Sequence, residues 1–557
     1  MKTTTRILLV TTSVSVFVIL TFVIVFHLSD NHPSKANGKV EAIASGDWDN
    51  PAIWNTHVVP TFDDVVTVAG SNDAKGIIEV QIKGEARCAQ LNVNSASQNV
   101  SVILKKGANL KVEGDLTING GSVTGHRAVV KLEGEMHTTQ TDLTIKGNLK
   151  ILGTRKSHDA QLLASGESAG INLSGQLILP TEPTNYATLN CTDGAHFNYC
   201  GLSPQILKLK GNYKNDLIYS NVEINNPGGV LLEQSITPDV LTGDLTIHTG
   251  RLMTNGYEIA MSDNALFSIH DNAMFFTSTT TIGSGFPMKN VRCDIGFHSN
   301  VQFAAAWQNI PKLPDNQEYG IVTVSAYGTV YLAEDITIRN KLILSSGVLS
   351  LNGKTLNVIS SAPDAISKIN GNLTVDVSNG RSNINWYVKG SIGIYTVPFA
   401  TLSGLPVPVT INIQDPGTGN GFLAFTTYET SFDNLPLPAG VGSLTNNEGL
   451  TATDFTDRFW VVQPKEFNTI PKGTMTLSLS KPEAGSVQDY HAMLWKNDTW
   501  QKSTTQQVKY KTAVVMQSVE LSGIFALAGK GQIIPDTSVI IDPQPQTITT
   551  ASSSDFN

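Results

Sequence analysis

The chain is poor in the features that mark a catalytic globule or a nucleic-acid partner. Four cysteines, Cys88, Cys191, Cys200 and Cys293, are spread over 557 residues, too few and too scattered for a disulfide-rich scaffold or a zinc site. Charged residues make up only 15% and the net charge is −9. With no basic stripe to neutralise phosphates, nucleic acid is excluded as a partner. His126, His137, His158 and His196 lack ligand spacing, and no G-x-S-x-G, H-E-x-x-H, P-loop or dinucleotide fingerprint stands in the context its chemistry needs. No amphipathic helical periodicity interrupts the chain after its N-terminus, so the expected fold class is all-β.

What is present is turn chemistry around short apolar runs. Glycine reaches 47 residues and, with Asn, Thr and Ser, separates strands of period two. Asn109-Leu-Lys-Val112, Asp115-Leu-Thr-Ile118 and Asn148-Leu-Lys-Ile151 alternate so that Leu110/Val112, Leu116/Ile118 and Leu149/Ile151 face inward while Lys111, Thr117 and Lys150 face solvent. A long repeat overlies these rungs. Residues 219–237 match 319–337 without a gap at Tyr219/Tyr319, Val222/Val322, Gly228/Gly328, Val230/Val330, Leu232/Leu332, Ile236/Ile336 and Thr237/Thr337. Short strands, glycine corners and internal repetition together predict coils stacked along an axis, a parallel β-helix.

At the N-terminus Lys2 and Arg6 precede Ile7–Phe26, an uncharged apolar run of about 20 residues, enough to cross a bilayer as a helix. Two readings stay open: an uncleaved anchor, oriented with its N-terminus inside, or a cleaved signal peptide. Both place the remainder outside the cytoplasm. Export would permit a bridge between Cys191 and Cys200, with buried free thiols as the alternative.

The folded part opens with Gly46-Asp-Trp48-Asp-Asn-Pro-Ala-Ile-Trp54, then Val59-Pro60 and Asp63-Asp64-Val65. Trp48 and Trp54 are expected to cap the exposed apolar end of the first coil. Asp47, Asp49, Asp63 and Asp64 are candidate calcium ligands, or else they satisfy turn amides. This opening, followed by Cys88-Ala-Gln-Leu-Asn-Val93, resembles that of right-handed parallel β-helix proteins on bacterial surfaces of the Bacteroidetes group. It is similar also to the eight-glycine domain of some hyaluronan-related and polycystin-linked extracellular proteins. The resemblance covers about residues 46–120 and implies location and fold rather than an activity.

Past Gly390 prolines crowd Val397-Pro398, Leu405-Pro-Val-Pro408 and Leu435-Pro-Leu-Pro438, and strands lengthen. Residues 391–530 read as a separate antiparallel β-sandwich, similar to the C-terminal sandwich of the same surface proteins. Within it Tyr490, Trp495 and Trp500 are candidates for an aromatic platform that stacks sugar rings; a core Trp495 with a partly exposed Trp500 is the alternative. Asp454 and Asp457 beside Arg458 read as a salt-bridged loop rather than a catalytic acid pair.

The expected organisation is a cytoplasmic stub (1–6), a transmembrane or signal-anchor helix (7–28), a linker (29–44), a cap with the first coils (45–195), coils carrying two repeats of about 100 residues (196–390), the sandwich (391–530) and a disordered tail (531–557). The expected function is an exported, membrane-tethered structural or adhesive module presenting a surface to glycan or protein. No catalytic residue and no obligatory cofactor is assigned. A polysaccharide lyase or hydrolase on the same scaffold is the alternative. Acidic or basic side chains stacked on adjacent coils in a groove would favour the enzyme; a smooth Thr/Asn/Lys face would favour binding.

Overall fold

A computed structural model describes residues 38–530 except 71–75, 97, 122–125, 135–139, 155–158, 183–184, 210–215, 280–285, 288–289, 377–381, 445–454, 485–487, 504–506 and 511. The apolar segment 7–28, its flanks and the tail from 531 lie outside the described residues. Among the described residues no helix is long and apolar enough to cross a membrane.

The chain is nearly all β, 56% strand and 2% helix, and forms a β-solenoid of about 12 turns. Each early turn contributes one strand to each of three parallel sheets. One face stacks Ile78–Ile82, Val100–Leu104, Ala128–Glu133, Ala160–Ser165 and Ala187–Thr192. A second stacks Glu85–Cys88, Asn109–Val112, Thr141–Ile145, Ala169–Leu173, His196–Tyr199 and the start of Asn221–Leu232. The third stacks Asp64–Ala69, Gln90–Asn94, Leu116–Asn119, Leu149–Leu152 and Leu177–Ile178.

Alternation decides which side chains are buried. Leu110, Val112, Leu116, Ile118, Leu149 and Ile151 are fully buried, and Lys111, Thr117 and Lys150 are partly exposed. The parallel register then stacks like on like: Leu110, Leu143, Ile171, Phe197, Val222, Leu245 and Phe267 form one continuous inward column on the second face. Each such side chain removed from water stabilises the coil by about 1.5–3 kcal/mol before conformational entropy is set against it.

From Asn221 onward single strands bend around corners, as in Asn221–Leu232, Leu245–Met253, Tyr319–Leu332 and Ile336–Ser350. The bends coincide with register shifts, for example between Ile224 and Asn225 and between Asn226 and Val230. Gly250 shows what a corner demands. Its φ is +77°, and a Cβ there would lie 1.8 Å from the Asn226 carbonyl oxygen, so glycine alone fits.

Pairing turns antiparallel at Phe422–Glu429, which adds directly to the coil strand Asn383–Trp386 through Ile384 and Phe425. The sheet continues through Phe455–Lys465, Gly523–Lys530, Gln488–Lys496 and Thr499–Lys502. A second antiparallel sheet runs in the order Gly393–Val397, Val409–Asp415, Lys472–Ser478, Ala513–Glu520, Gln507–Tyr510. The sandwich-like end is therefore not separate from the coils: it shares a sheet with them, and one apolar core extends from Val40 to Leu527.

Candidate functional site

The second face carries a polar ladder. On Thr141–Ile145, Ala169–Leu173, His196–Tyr199 and Asn221–Leu232 the outward positions stack in two columns, Asp142, Gly170, His196 and Asn221 in one, Thr144, Asn172, Asn198 and Glu223 in the other. Parallel strands lie about 4.8 Å apart, so short planar side chains reach their neighbours directly. Asn198 Nδ2 donates to Asn172 Oδ1 at 3.0 Å, and Asn225 Nδ2 donates to Asn198 Oδ1 at 2.9 Å. An amide both donates and accepts, so such a ladder satisfies itself along the stack and leaves its remaining valences toward solvent.

Gly170 opens a gap in the first column. A Cβ at Gly170 would lie 2.5 Å from Asp142 Oδ1, so the Asp142 carboxylate leans over the space that any larger residue would fill. Beside Gly170 lies a solvent-open hollow of about 380 Å³ bordered by Glu167, Ser168, Asn172, His196, Asn198 and Glu223.

Charge is arranged unevenly around it. His196 Nδ1 lies 2.8 Å from Glu223 Oε1, and His248 Nε2 lies 3.8 Å from Glu223 Oε2. His248 in turn meets His270 edge-on, ring centroids 4.4 Å apart. The contact with Glu223 pushes the His196 imidazole above its ordinary range, and the reciprocal bond holds the Glu223 carboxyl below the usual carboxylate range. Burial pulls His248 down. Asp142 behaves oppositely to Glu223: burial, with Glu223's charge adding, pushes its carboxyl up, and its Oδ1 has no hydrogen-bond partner. The groove thus holds a carboxyl biased toward its ionised form, an imidazole biased toward its protonated form and a row of amides, with the Asp142 carboxyl, biased the other way, against Gly170 at its edge. That set can bind vicinal hydroxyls bidentately, and it could also give and take a proton.

His196 was visible in the sequence only as one scattered histidine. Its partner Glu223 is 27 residues away, and Asn172, Asn198 and Asn225 recur at 26 and 27. The missing signal was polar residues repeating at the length of one coil.

The residues singled out by sequence are placed as follows. Trp48 and Trp54 are buried at the N-terminal end with ring centroids 5.1 Å apart, and Trp54 Nε1 donates to the Trp48 carbonyl at 2.8 Å. The four aspartates do not converge. Asp47 pairs with Lys83 at 2.8 Å, Asp64 Oδ2 accepts from the Thr61 amide and hydroxyl, Asp49 is exposed and Asp63 partly so. Among the described residues no group of three or more His, Cys, Asp or Glu could share a metal ion.

Cys191 and Cys200 are not bridged; all four cysteines are free. Cys191 ends an inward column on the first face, whereas Cys200 follows the second-face strand His196–Tyr199 beyond the corner at Asp193 and Gly194, where its Sγ lies 3.6 Å from Ser174 Oγ. The three sandwich aromatics form no open platform. Tyr490 is 2% and Trp500 1% exposed, with Trp500 stacked on Phe459. Trp495, not Trp500, is the partly exposed one, and its Nε1 donates to the Gly440 carbonyl. The apolar strand Phe455–Lys465 draws Trp500 inward because Phe455, Phe459 and Tyr428 build a second small core around it.

Arg458 belongs to a buried ion cluster. Its guanidinium holds Asp376 at 2.9 and 3.0 Å, Glu483 at 2.7 Å and Thr427 Oγ1 at 3.1 Å. Asp454 lies outside the described residues, and Asp457 is partly buried beside the cluster, pushed up to about 6 by burial and by the charges of Glu483 and Asp433.

No protein-family model, curated protein or solved structure matches the chain.

Proposed function

We propose that this chain is an exported β-solenoid that binds glycan on its second face, a presenting or adhesive module held at the membrane by its N-terminal segment. The observation that carries the reading is the hydrogen-bonded amide chain Asn172–Asn198–Asn225, in register from Asn172 to Asn198 and diagonal from there to Asn225, beside the His196–Glu223 pair at the hollow by Gly170. Planar amides and carboxylates at coil spacing match the repeat of hydroxyl pairs along a polysaccharide better than they match an apolar ligand. Export is supported by the uncharged run Ile7–Phe26 behind Lys2 and Arg6, and the resemblance of the opening to bacterial surface β-helix proteins and the eight-glycine domain supports the same location.

A second reading, polysaccharide cleavage, is favoured by one feature: Glu223 in the groove and Asp142, packed against Gly170 at its edge, are biased in opposite directions, which suits an acid and its partner base. Incubating the protein with a panel of polysaccharides separates the two when retention and depolymerisation are both scored. Binding without chain shortening, weakened by Asn198→Ala and by Gly170→Leu, supports the module. Chain shortening abolished by Asp142→Asn supports the enzyme. A panel with neither result removes the groove from both readings.

A further inference from the structure

A corner far along the chain presents an aromatic surface that none of the groove chemistry uses. Trp307 is 70% exposed and Tyr327 80% exposed. Trp307 lies between the strands Asn300–Phe303 and Asn309–Ile310 and has φ of +64°, a left-handed conformation that is an outlier for a bulky side chain and signals a position held by its surroundings.

The surroundings are rigid. The Trp307 amide donates to the Thr329 carbonyl at 2.8 Å. The next residue, Gln308, is fully buried; its Oε1 accepts from the Ala305 amide and its Nε2 donates to Thr277 Oγ1 at 2.8 Å. The indole stacks on Tyr331, centroids 6.1 Å apart and planes 21° from parallel. A ring covered on one side and 70% exposed presents its other face to solvent, already ordered. On the neighbouring coil Gly328, next to Tyr327, approaches so closely that a Cβ would lie 2.8 Å from Ala306 Cβ, which sets the Tyr327 turn against the Trp307 corner.

The chemistry around the rings is polar and uncharged. Residues 302–310 and 323–332, the two runs that meet here, contain no charged residue. Gln302 Nε2 donates to Ser325 Oγ, and Asn309 lies opposite Tyr331 in the register. A phosphate-bearing or acidic partner would find no counter-charge in these runs, whereas a neutral ring with an apolar C–H face and hydroxyl edges matches an aromatic plane set among amides and hydroxyls.

We infer that Trp307, stacked on Tyr331 and neighboured by Tyr327, is a second glycan-binding site, selective for uncharged pyranose chains. The inference rests on the glycan reading given above but uses residues outside the groove, so the two can fail separately.

The test is calorimetric titration of the full chain with neutral hexaoses of β-1,4-glucose, β-1,3-glucose, β-1,4-xylose and β-1,4-N-acetylglucosamine. At least one should bind, Trp307→Ala should weaken it about tenfold, and Trp307→Phe, which keeps an aromatic plane, should stay within about threefold, the range expected of one aromatic contact. Trp307→Gly should lose binding while unfolding no more easily than wild type, because glycine takes the left-handed backbone without strain. A tryptophan serving stability alone would give the opposite pair of results. Unchanged affinity in Trp307→Ala overturns the site, and if Asn198→Ala weakens the same ligand the groove survives without it. Failure of every hexaose together with Trp307-dependent binding to phosphatidylcholine vesicles overturns it in favour of a lipid surface.

Discussion

Arg458 holds Asp376 through both terminal guanidinium nitrogens, at 2.9 and 3.0 Å, with neither side chain accessible to solvent. Asp376 follows the coil strand Asn372–Thr374 and Arg458 lies on the antiparallel strand Phe455–Lys465, so the pair fastens the two kinds of architecture together. Removing one member of a buried pair leaves the others uncompensated. Arg458→Ala should lower the unfolding free energy by about 3–5 kcal/mol, measured by denaturant titration. A loss below about 1 kcal/mol would mean that water reaches the cluster.

Asp457, beside the same cluster, has its carboxyl raised to about 6 from an ordinary 3.8. A carboxyl with a raised folded-state pKa opposes folding once ionised. The opposition is absent below about pH 3.8, grows between there and about 6, and is constant above. The melting temperature of Asp457→Asn relative to wild type should therefore climb over that interval and then level off. A difference that does not vary with pH would show that Asp457 titrates normally.

The His196–Glu223 pair has the reverse signature. His196 is raised from 6.5 and Glu223 lowered from 4.5, so their mutual stabilisation is full between about these values. It fades as pH rises through His196's folded-state pKa and as it falls through that of Glu223. His196→Gln should destabilise most near pH 5–6 and least at pH 9. Thermal melts across that range check it, and a maximum at pH 9 would contradict the pairing.

Thiol labelling distinguishes the four cysteines. Burial pushes the Cys191 and Cys293 thiols up to about 12, and Cys88 higher still, which suppresses the reactive thiolate. Under native conditions an alkylating reagent should modify no more than the half-buried Cys200, and all four should react after denaturation without reductant. Two unreactive thiols in the denatured chain would reveal a bridge.

Strand alternation was legible because it depends on neighbouring residues: Leu110, Leu116 and Leu149 are inward and the lysines and threonine between them outward. The coil itself was harder to see. Residues 219–237 and 319–337 match as a repeat of 100, yet Val222 stacks on Leu245, Phe267 and Cys293, whereas Val322 continues the column Val230, Leu252, Phe275, Val301. The turn is 21 to 26 residues long in this column, and the repeat ends one face further round than it began. Local pattern cannot report this, because each face asks the same of a strand: apolar in, polar out. The polar groove was hidden for the same reason, since His196 and Glu223 are joined by stacking and not by sequence proximity. The burial of Trp500 came from aromatics 41 and 45 residues earlier, Phe459 and Phe455, which no window around Trp500 contains.

The antiparallel seam between Ile384 and Phe425 sets a limit on growth. A parallel stack offers each new coil a template, and an unpaired last rung would recruit further chains edge to edge. By reversing direction at Phe422–Glu429, the chain places a strand on that rung that no copy of a coil can extend in register. Along this face the parallel stack is thereby ended within a single molecule, by a strand of the same chain.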